Sequence, residues 1–292
     1  MDNITLYDLS KNKSIIAFSG SDADTFLQGQ VSCDVLNLAE TNTVFGSLCN
    51  PKGRVICVFH LFKRLDIYYM VLSSTLSKNI LKRLKMFVFR SDVLIEDVSE
   101  NHYTFGARKQ HVKELIDIVE TFAVVSINSK SDLTILIINK KYIGALEQSN
   151  AISISEQLSE WNHALISECI PDITSDSSEL FIPQMLNLDA LEAVDFKKGC
   201  YTGQEVIARL HYKGTSKRRL VIYTASEAHA PAEAIHAPND SNSIGTILNC
   251  NKTSNNDYTG LVVLKIEYMK EGLLVLDNAH QLSIKLAPYR LD

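Results

Sequence analysis

The residue types best placed for chemistry lie in residues 198–205, which read Lys-Gly-Cys-Tyr-Thr-Gly-Gln-Glu. This stretch puts a thiol between two glycines, ahead of a predicted helix. Thr202 followed by Glu205 has the form of a capping box, in which each side chain accepts a hydrogen bond from the other residue's amide. The helix would then run through residues 206–210. Since unpaired amides give a helix N-terminus about half a positive charge, a thiolate or an anionic ligand is stabilised there. Cys200 is therefore the candidate reactive thiol.

Basic side chains cluster around this segment, and within that span only Glu205 opposes them. They are Lys197, Lys198, Arg209, Lys213, Lys217, Arg218 and Arg219. In a chain with a formal net charge of -5, such a concentration beside a helix N-terminus predicts an anion site. A phosphate, a carboxylate tail and a nucleic-acid backbone are all candidate ligands.

A second candidate segment, residues 26–34, ends a predicted helix with Gln28, Gln30 and Asp34. Neutral amides and a carboxylate are groups that hydrogen-bond a polar heterocycle well. Gly29, in the same segment, equally fits a plain helix C-cap. The segment therefore predicts either a ligand contact or a helix end.

Two further features are weaker candidates. Residues 49–54 predict a hairpin turn, with Lys52 and Arg54 as candidate anion contacts. Trp161 is the single tryptophan and lies in a predicted helix, where it is either a core residue or a flat surface for stacking on an aromatic ring.

Two kinds of element pattern divide the chain. Before residue 217 strand and helix patterns alternate, which is typical of an α+β body, and Ser21 is a predicted helix N-cap. After it come strands without helices between them, which predict a small antiparallel β-barrel. The predicted strands cover residues 15–18, 44–49, 54–59, 67–72, 93–95, 123–125, 133–138, 220–223, 244–248, 261–264, 273–276 and 282–286; the predicted helices lie near residues 76–84, 112–119 and 156–168; and the predicted loops of the barrel are residues 228–242 and 249–257.

Composition narrows the class of protein. A chain of 292 residues with 46% hydrophobic and 22% charged residues can bury a core in two or three domains and is neither disordered nor fibrous. We expect a cytoplasmic protein, because the chain starts without a signal pattern and has no apolar run long enough to cross a bilayer. The six cysteines are scattered without zinc-type spacing, so no metal is predicted and reduced thiols are expected.

No catalytic triad, carboxylate pair or phosphate-binding glycine loop stands out in the sequence. Spacing and composition by themselves therefore indicate an anion-binding protein with a candidate reactive thiol, and no substrate.

Four motifs taken together carry a family resemblance. They are FLQGQVSCD at residues 26–34, CNPKGR at 49–54, FIPQMLNL at 181–188 and FKKGCYTGQEVIAR at 196–209. With them, the chain resembles the YgfZ family of folate-binding proteins, whose fold is related to that of the aminomethyltransferase of the glycine cleavage system. The likeness extends to LAPYRL at residues 286–291.

The resemblance implies a ring-like, aminomethyltransferase-type fold around a folate channel. Two interwoven α/β subdomains would form the folate-binding body, residues 1–216, and residues 217–292 the C-terminal barrel. Trp161 matches a folate-contacting tryptophan of the family, whereas a second family tryptophan has no counterpart at residues 12–14. The chain also departs from family glycines at Cys169 and at residues 192–194.

The implied ligand is tetrahydrofolate or a one-carbon derivative, and the implied role is that of an accessory protein. It would support the synthesis or repair of iron-sulfur proteins and thereby tRNA modification, with Cys200 as the key thiol. The implied partners are folate and the iron-sulfur proteins or their assembly machinery, with no membrane. The predicted folate-binding residues are Trp161, Gln28, Gln30, Asp34, Lys198, Gly199, Tyr201, Gln204, Glu205 and Arg209.

Two alternatives stay open. A folate-dependent aminomethyl or methyl transferase would turn over a one-carbon donor, and the sequence has no evident general base for it, so whether the protein is an enzyme is left open. A tRNA-binding module would use the basic residues 213–219. Direct nucleic-acid binding is the last of the three expectations, because the basic run is short and the rest of the chain is acidic.

Overall fold

The structure, a computed structural model, describes residues 3–129, 131–238, 242–276 and 280–291. The chain divides into two compact units. Unit 1 consists of Met1–Gly46 and Phe59–Trp161, and unit 2 of Ser47–Val58 and Asn162–Asp292. Each unit is therefore built from two separate stretches of the chain.

Strands and helices are numbered in chain order. The strands are β1 (Ile4–Asp8), β2 (Lys13–Ser19), β3 (Thr43–Cys49), β4 (Val55–Arg64), β5 (Ile67–Ser73), β6 (Leu94–Asp97), β7 (His102–Arg108), β8 (Ala123–Ser126), β9 (Leu133–Asn139), β10 (Ile152–Ser155), β11 (Arg218–Ala225), β12 (Ala234–Ile235), β13 (Gly245–Lys252), β14 (Tyr258–Lys265), β15 (Gly272–Val275) and β16 (Gln281–Lys285). The α-helices are α1 (Ala23–Gln28), α2 (Ser74–Lys85), α3 (Val112–Ile118), α4 (Ile143–Glu147), α5 (Ser159–Ser167) and α6 (Gln204–Lys213). Short 3-10 helices cover Ser99–Asn101, Lys109–His111, Lys140–Tyr142, Pro183–Leu186 and Ile266–Tyr268.

One five-stranded sheet lies wholly in unit 1, with the order β10-β1-β7-β9-β8. Strands β1 and β10 are parallel, and the other pairs are antiparallel. Alternate residues of β1, β7 and β9, among them Leu6, Phe105 and Leu136, point into a core that Leu115 of α3 completes. The sequence prediction missed β1, β7 and β10.

A second five-stranded sheet has the order β3-β4-β5-β2-β6. Its central pair, β2 and β5, is antiparallel and aligns Ile16 with Met70, both fully buried. Helix α2 packs on this sheet through Leu76, Ile80 and Leu84, each at most 3% exposed. The spacing of these three residues is that of one helix face, as the sequence predicted.

Helix α1 differs from its prediction at its start and agrees with one interpretation at its end. Asp22, not Ser21, occupies the N-cap, and its side chain makes no capping bond. The Ser21 hydroxyl instead donates to Asp92 at 3.0 Å, so it is engaged away from the helix amides. The helix ends at Gln28 with Gly29 as its C-cap, which confirms the C-cap interpretation of that glycine.

The six-stranded sheet of unit 2 has the order β12-β13-β14-β11-β16-β15 and is antiparallel throughout. It is a curled half-barrel, and its core includes the fully buried Tyr223, Val262 and Leu282. Two loop predictions were wrong here. Strand β12 lies in a stretch predicted as loop, and β13 continues to Lys252 after a bulge, where the Asn249 side chain accepts from the Leu261 amide at 2.9 Å.

Candidate functional site

The Cys200 segment enters helix α6 through a glycine. Gly203 is the N-cap, with a φ of 86°, and no side chain caps the helix. The predicted capping box of Thr202 and Glu205 is therefore wrong, and α6 begins two residues after Thr202, at Gln204. Glu205 still lies in the exposed first turn, where a carboxylate favours the positive end of the helix dipole.

Gly203 fits against the turn of residues 49–54, which the sequence placed far away. A Cβ on Gly203 would lie 2.5 Å from the Asn50 carbonyl oxygen and 3.2 Å from the Gly53 Cα. From the other side, a Cβ on Gly53 would lie 3.1 Å from the Cβ of Val206. The backbone of the turn therefore packs directly on the first turn of α6.

Hydrogen bonds fix the turn itself. The Asn50 side-chain oxygen accepts from the amides of Lys52 and Arg54 at 2.9 and 3.0 Å, and its amide group donates to Glu179 at 2.9 Å. The Arg54 guanidinium donates to the Leu180 carbonyl. Arg54 is thus half-buried and hydrogen-bonded within the protein, whereas Lys52, the other basic residue of the turn, is exposed.

A residue that the sequence reasoning missed, Gln184, links the third motif to α6. It is 3% exposed and donates from Nε2 to the Ile207 carbonyl at 2.9 Å. The main-chain carbonyl of Gln184 accepts a hydrogen bond from the Arg219 guanidinium at 2.9 Å. The signal was present in the sequence, since Gln184 is a polar residue inside an otherwise apolar motif.

Two members of the predicted basic cluster are engaged by other groups of the protein. Arg219 is 7% exposed and pairs with Asp189 at 2.6 Å. Arg218 donates to the Ser243 carbonyl at 2.7 Å. The exposed members that remain are Lys197, Arg209, Lys213 and Lys217, with Lys198 half-buried.

The chain just before Cys200 is braced against α6. The Asp195 carboxylate accepts from the amides of Lys197 and Lys198 at 2.7 and 3.0 Å. The Phe196 ring stacks on His211 of α6 with 3.7 Å between ring centroids. Further along, the Lys198 ammonium lies 5.2 Å from the ring centre of the buried Tyr201. Cys200 therefore stands between two anchored residues.

Cys200 is the exposed cysteine of this protein. All six cysteines fall in the described residues and are free; four are buried and Cys250 is partly exposed. Burial raises the pKa of the Cys49 and Cys169 thiols to about 12, so these two stay protonated and inert near neutral pH. An exposed thiol can act as a nucleophile, a metal ligand or a partner in disulfide exchange.

A cavity of about 1000 Å³ lies next to the braced segment in unit 2. Its walls include aromatic side chains, three carboxylates and two cations, a set of rings and hydrogen-bonding groups that suits a polar heterocycle. They comprise Phe196, His211, Tyr212, Asp189, Glu192, Asp195, Lys197 and Arg219. Asp189 is a second wall residue that the sequence reasoning missed, directly after the FIPQMLNL motif.

The remaining predicted residues of unit 2 lie along the same segment. Gly199 is exposed, and a Cβ there would meet nothing within 4 Å. Gln204 is half-buried at the first position of α6, and Arg209 is exposed on that helix. Gly199, Cys200 and Arg209 are thus exposed along this segment, Gln204 is half-buried and Tyr201 is buried.

Three predicted residues of unit 1 lie at the end of α1. The Gln28 amide donates to Asp34 at 3.0 Å and its oxygen accepts from the Val35 amide at 2.8 Å. Asp34 also accepts from Asn37 at 2.5 Å. Gln28 and Asp34 therefore hold the loop after α1 together, and Gln30 is half-buried beside them in sequence.

Trp161 is packed inside unit 1. It is 3% exposed, and a Cβ on Gly106 would lie 2.6 Å from the indole, so the glycine makes room for the ring. Tyr7 lies 6.1 Å away, centroid to centroid. In this packing the protein itself covers nearly all of the indole.

Within the residues that the structure describes, no group of three or more His, Cys, Asp or Glu side chains could hold a metal ion. The same residues include no helix that is long and apolar enough to span a membrane.

Comparison with known proteins places the chain in a family. A tRNA-modifying protein YgfZ from Colwellia psychrerythraea is 33% identical over 217 residues, which cover 70% of this chain and 67% of the relative. One from Vibrio atlanticus is 31% identical over 266 residues, or 86% and 81%. The chain belongs to the YgfZ family. A further YgfZ protein, from an Enterobacter species, is 29% identical over 96% of this chain and 91% of its own.

No family model matches the chain. Among solved structures, aminomethyltransferase T of the glycine cleavage system from Bartonella henselae superposes with a TM-score of 0.72. The superposition covers 98% of this chain and 85% of that one at 13% sequence identity. The YgfZ-family chain therefore shares the mixed α/β fold of that enzyme.

Proposed function

We propose that this protein binds tetrahydrofolate or a one-carbon derivative and acts as an accessory factor for iron-sulfur proteins, and thereby for tRNA modification. The observation that carries the proposal is Cys200, an exposed thiol on a braced segment in a chain whose other cysteines are buried or partly so. Relatives named as tRNA-modifying proteins support the pathway, and the aminomethyltransferase fold supports a folate ligand.

The side chains of unit 2 fit such a ligand. Folate has a flat pterin with amino and ring N–H donors, and a glutamate tail with carboxylates. Glu192, an exposed carboxylate of the cavity wall, can accept from the donors, and the rings of Phe196 and Tyr212 can pack on the heterocycle. Lys197 lines the same cavity, and the exposed Arg209 and half-buried Lys198 lie on the segment beside it, all able to hold carboxylates.

Tetrahydrofolate, when bound, supplies or accepts a one-carbon unit. The protein's own groups bind and orient it. The cations orient the tail, the cavity excludes water from the ring, and Cys200 offers a thiol to the partner. The proposal includes the ten folate-binding residues predicted from the sequence. Of these, Gln28 and Asp34 act indirectly, because they hold the loop after α1 in place. The division into a folate-binding body, residues 1–216, and a barrel, residues 217–292, in a ring-like arrangement is part of it.

Folate binding is tested by calorimetry and by the fluorescence of Trp161, the single tryptophan, during titration with tetrahydrofolate. Lys198→Ala, Arg209→Ala and Tyr212→Ala should each weaken binding several-fold. Lys252→Ala removes an exposed lysine of unit 2 that does not line the cavity and should leave binding unchanged. Neither heat nor a fluorescence change with the wild-type protein would overturn the proposal.

The role of the thiol is tested in a bacterial strain that lacks its own YgfZ-family gene. Wild type and Cys250→Ala should restore the activity of an iron-sulfur enzyme and tRNA thiomodification, whereas Cys200→Ala should fold, bind folate and restore neither. Full rescue by Cys200→Ala would exclude the thiol. Turnover of a one-carbon donor by the purified protein would favour the transferase instead.

A further inference from the structure

A second basic surface lies in unit 1, far along the chain from Cys200. It consists of residues 74–91, the helix α2 and the loop that follows it, and is called the basic ridge below. The ridge contains no acidic residue, although the chain as a whole has a formal net charge of -5. Its basic residues are Lys78, Lys82, Arg83, Lys85 and Arg90.

Helix geometry puts the lysines of the ridge in a row. Because Leu76, Ile80 and Leu84 bury one face of α2 in the protein, the exposed Lys78, Lys82 and Lys85 lie on the opposite side. Their spacing of four and three residues places them on successive turns, about 5.4 Å apart along the axis. The result is a line of regularly spaced positive charges.

These charges are not neutralised by the protein. None of the five basic residues forms an ion pair within the described part of the chain. Arg83 contacts only a ring, with its guanidinium 5.8 Å from the centre of Phe87. The ridge is therefore available to an external polyanion.

Aromatic surface stands at the end of the row. Phe89 is 93% exposed, Phe87 45% and Met86 61%. Backbone hydrogen bonds hold this loop as a continuation of the helix, since the amides of Met86 and Phe87 donate to the carbonyls of Arg83 and Leu84 at 3.1 and 3.0 Å. Side chains this apolar are normally buried, so their exposure beside unpaired cations indicates a partner.

We propose that the basic ridge binds single-stranded RNA. A row of cations tracks the phosphates of a strand, and exposed rings stack on its bases; this combination is what sequence-tolerant single-strand binding requires. The pairing of Arg83 with Phe87 forms a ready stacking surface of the kind that RNA bases use. Phe89, which touches the solvent on nearly all of its surface, would take a neighbouring base.

A lipid surface fits the ridge less well. A helix that lies on a bilayer inserts its apolar face, and that face of α2 is buried in the protein. Only the loop at its end could reach the lipid. The row of lysines on α2 is explained by phosphates that continue along a strand.

The ridge also replaces the RNA surface that the sequence suggested. Within residues 213–219, Arg218 and Arg219 are engaged by the Ser243 carbonyl and by Asp189, which leaves Lys213 and Lys217 exposed. RNA binding at the ridge goes beyond the proposed function and requires neither folate nor Cys200. The two can therefore fail separately.

Fluorescence anisotropy with a labelled oligouridine tests the proposal. Lys82→Gln with Lys85→Gln should lower the slope of log affinity against log salt by about 1.4, because each phosphate contact in a single strand contributes about 0.7. Phe89→Ser should weaken binding by about 5-fold to 150-fold at unchanged slope, the range for one lost stack. Leu65→Ser, which changes another exposed apolar residue of unit 1, should leave both quantities as in wild type.

Four outcomes would overturn the proposal. The first is that the wild-type protein does not bind the oligouridine, and the second is that Lys213→Gln with Lys217→Gln loses binding while the ridge variants keep it. The third is that polyglutamate competes with the wild-type protein as well as RNA does. The fourth is that the protein binds phosphatidylserine vesicles instead of RNA, and that Phe89→Ser abolishes this vesicle binding. Circular dichroism shows that the variants fold, which is expected because every changed side chain is exposed. The ridge variants should bind tetrahydrofolate as the wild-type protein does. The failure of RNA binding can then be distinguished from the failure of the proposed folate binding.

Discussion

At the scale of single residues, the two glycines beside Cys200 differ in what they require. Gly203 has a φ of 86° and faces the Asn50 carbonyl, whereas Gly199 has open space where a Cβ would stand. The sequence gives both glycines the same appearance. The difference arises from residues 49–54, which reach Gly203 only in the folded chain, and this is also why a capping box could be predicted where a glycine cap exists.

We therefore predict that two alanine substitutions differ strongly in their effect on stability. Gly203→Ala should lower the free energy of unfolding by roughly 2 kcal/mol or more, because a left-handed alanine costs about 1–2 kcal/mol and its Cβ meets a backbone oxygen. Gly199→Ala should stay within about 0.5 kcal/mol of wild type. Urea denaturation measures the free energy of unfolding of both variants. Equal losses of stability would show that the packing of Gly203 on the Asn50 turn does not determine the effect of the substitution.

The thiols give a second prediction at this scale. With a disulfide reagent such as Ellman's, the native protein should show one fast-reacting thiol, because Cys200 is exposed and the others are buried or partly so. Cys200→Ser should remove the fast phase, and Cys250→Ser should retain it. A fast phase that survives in Cys200→Ser would mean that another thiol, either the partly exposed Cys250 or a buried cysteine, reacts as fast as Cys200 is expected to.

At the scale of elements, strongly apolar strands were predictable and polar ones were not. Strands β4, β5 and β9 have continuous apolar runs and were found from the sequence. Strand β7 contains His102, Thr104 and Gly106, and its pairing with β9 rather than its own residues makes it a strand. Likewise, β13 continues past its bulge through Asn249 and Asn251 because β14 lies beside it.

Site elements followed the same division. The helix after Cys200 and the turn at residues 49–54 were predicted from their local patterns. Their contact with each other, the burial of Arg219 and the bracing by Gln184 depend on distant parts of the chain and carry no local pattern. Motifs thus located the site, and only the fold separated its structural residues from its exposed ones.

A left-handed backbone conformation shortly before the Cys200 segment gives an element-scale prediction. Glu192 has a φ of 58° and is exposed, and glycine adopts that conformation without strain. Glu192→Gly should raise the free energy of unfolding by up to about 1 kcal/mol, because the relief of left-handed strain exceeds the extra entropy of glycine in the unfolded chain.

The matched control is Glu114→Gly, the same substitution at an exposed residue within the helix α3. It should destabilise by about 1 kcal/mol. Thermal unfolding of both variants measures the difference in sign. A loss of stability in Glu192→Gly as large as in Glu114→Gly would contradict the strain at residue 192.

At the scale of the whole molecule, this chain and aminomethyltransferase T share a fold although most of their residues differ. Aminomethyltransferase T and this chain share 13% of their residues over 98% of this chain, at a TM-score of 0.72. Apolar alternation and glycine turns are sufficient for such a fold with many different side chains. What distinguishes this protein is which polar and thiol groups the fold buries and which it exposes, and burial can be measured through pH.

Burial of Cys49 predicts how stability of the whole protein changes at alkaline pH. Burial raises the pKa of this thiol from 9.0 to about 12, against a smaller lowering by its hydrogen bond with Ser47. Between these values the unfolded chain has released the proton and the folded protein still holds it. Stability is therefore fully present below pH 9 and is lost as the pH rises toward 12, by up to about 1.4 kcal/mol per pH unit for one thiol.

Guanidinium unfolding at several pH values between 8 and 11 tests this expectation. Cys49→Ala should show a decline with pH that is shallower than that of wild type by up to about 1.4 kcal/mol per unit, whatever its stability at neutral pH. Cys200→Ala removes an exposed thiol and should decline in parallel with wild type. Parallel lines for all three proteins would mean that the Cys49 thiol ionises as readily in the folded protein as in the unfolded chain, and that the core around it admits water.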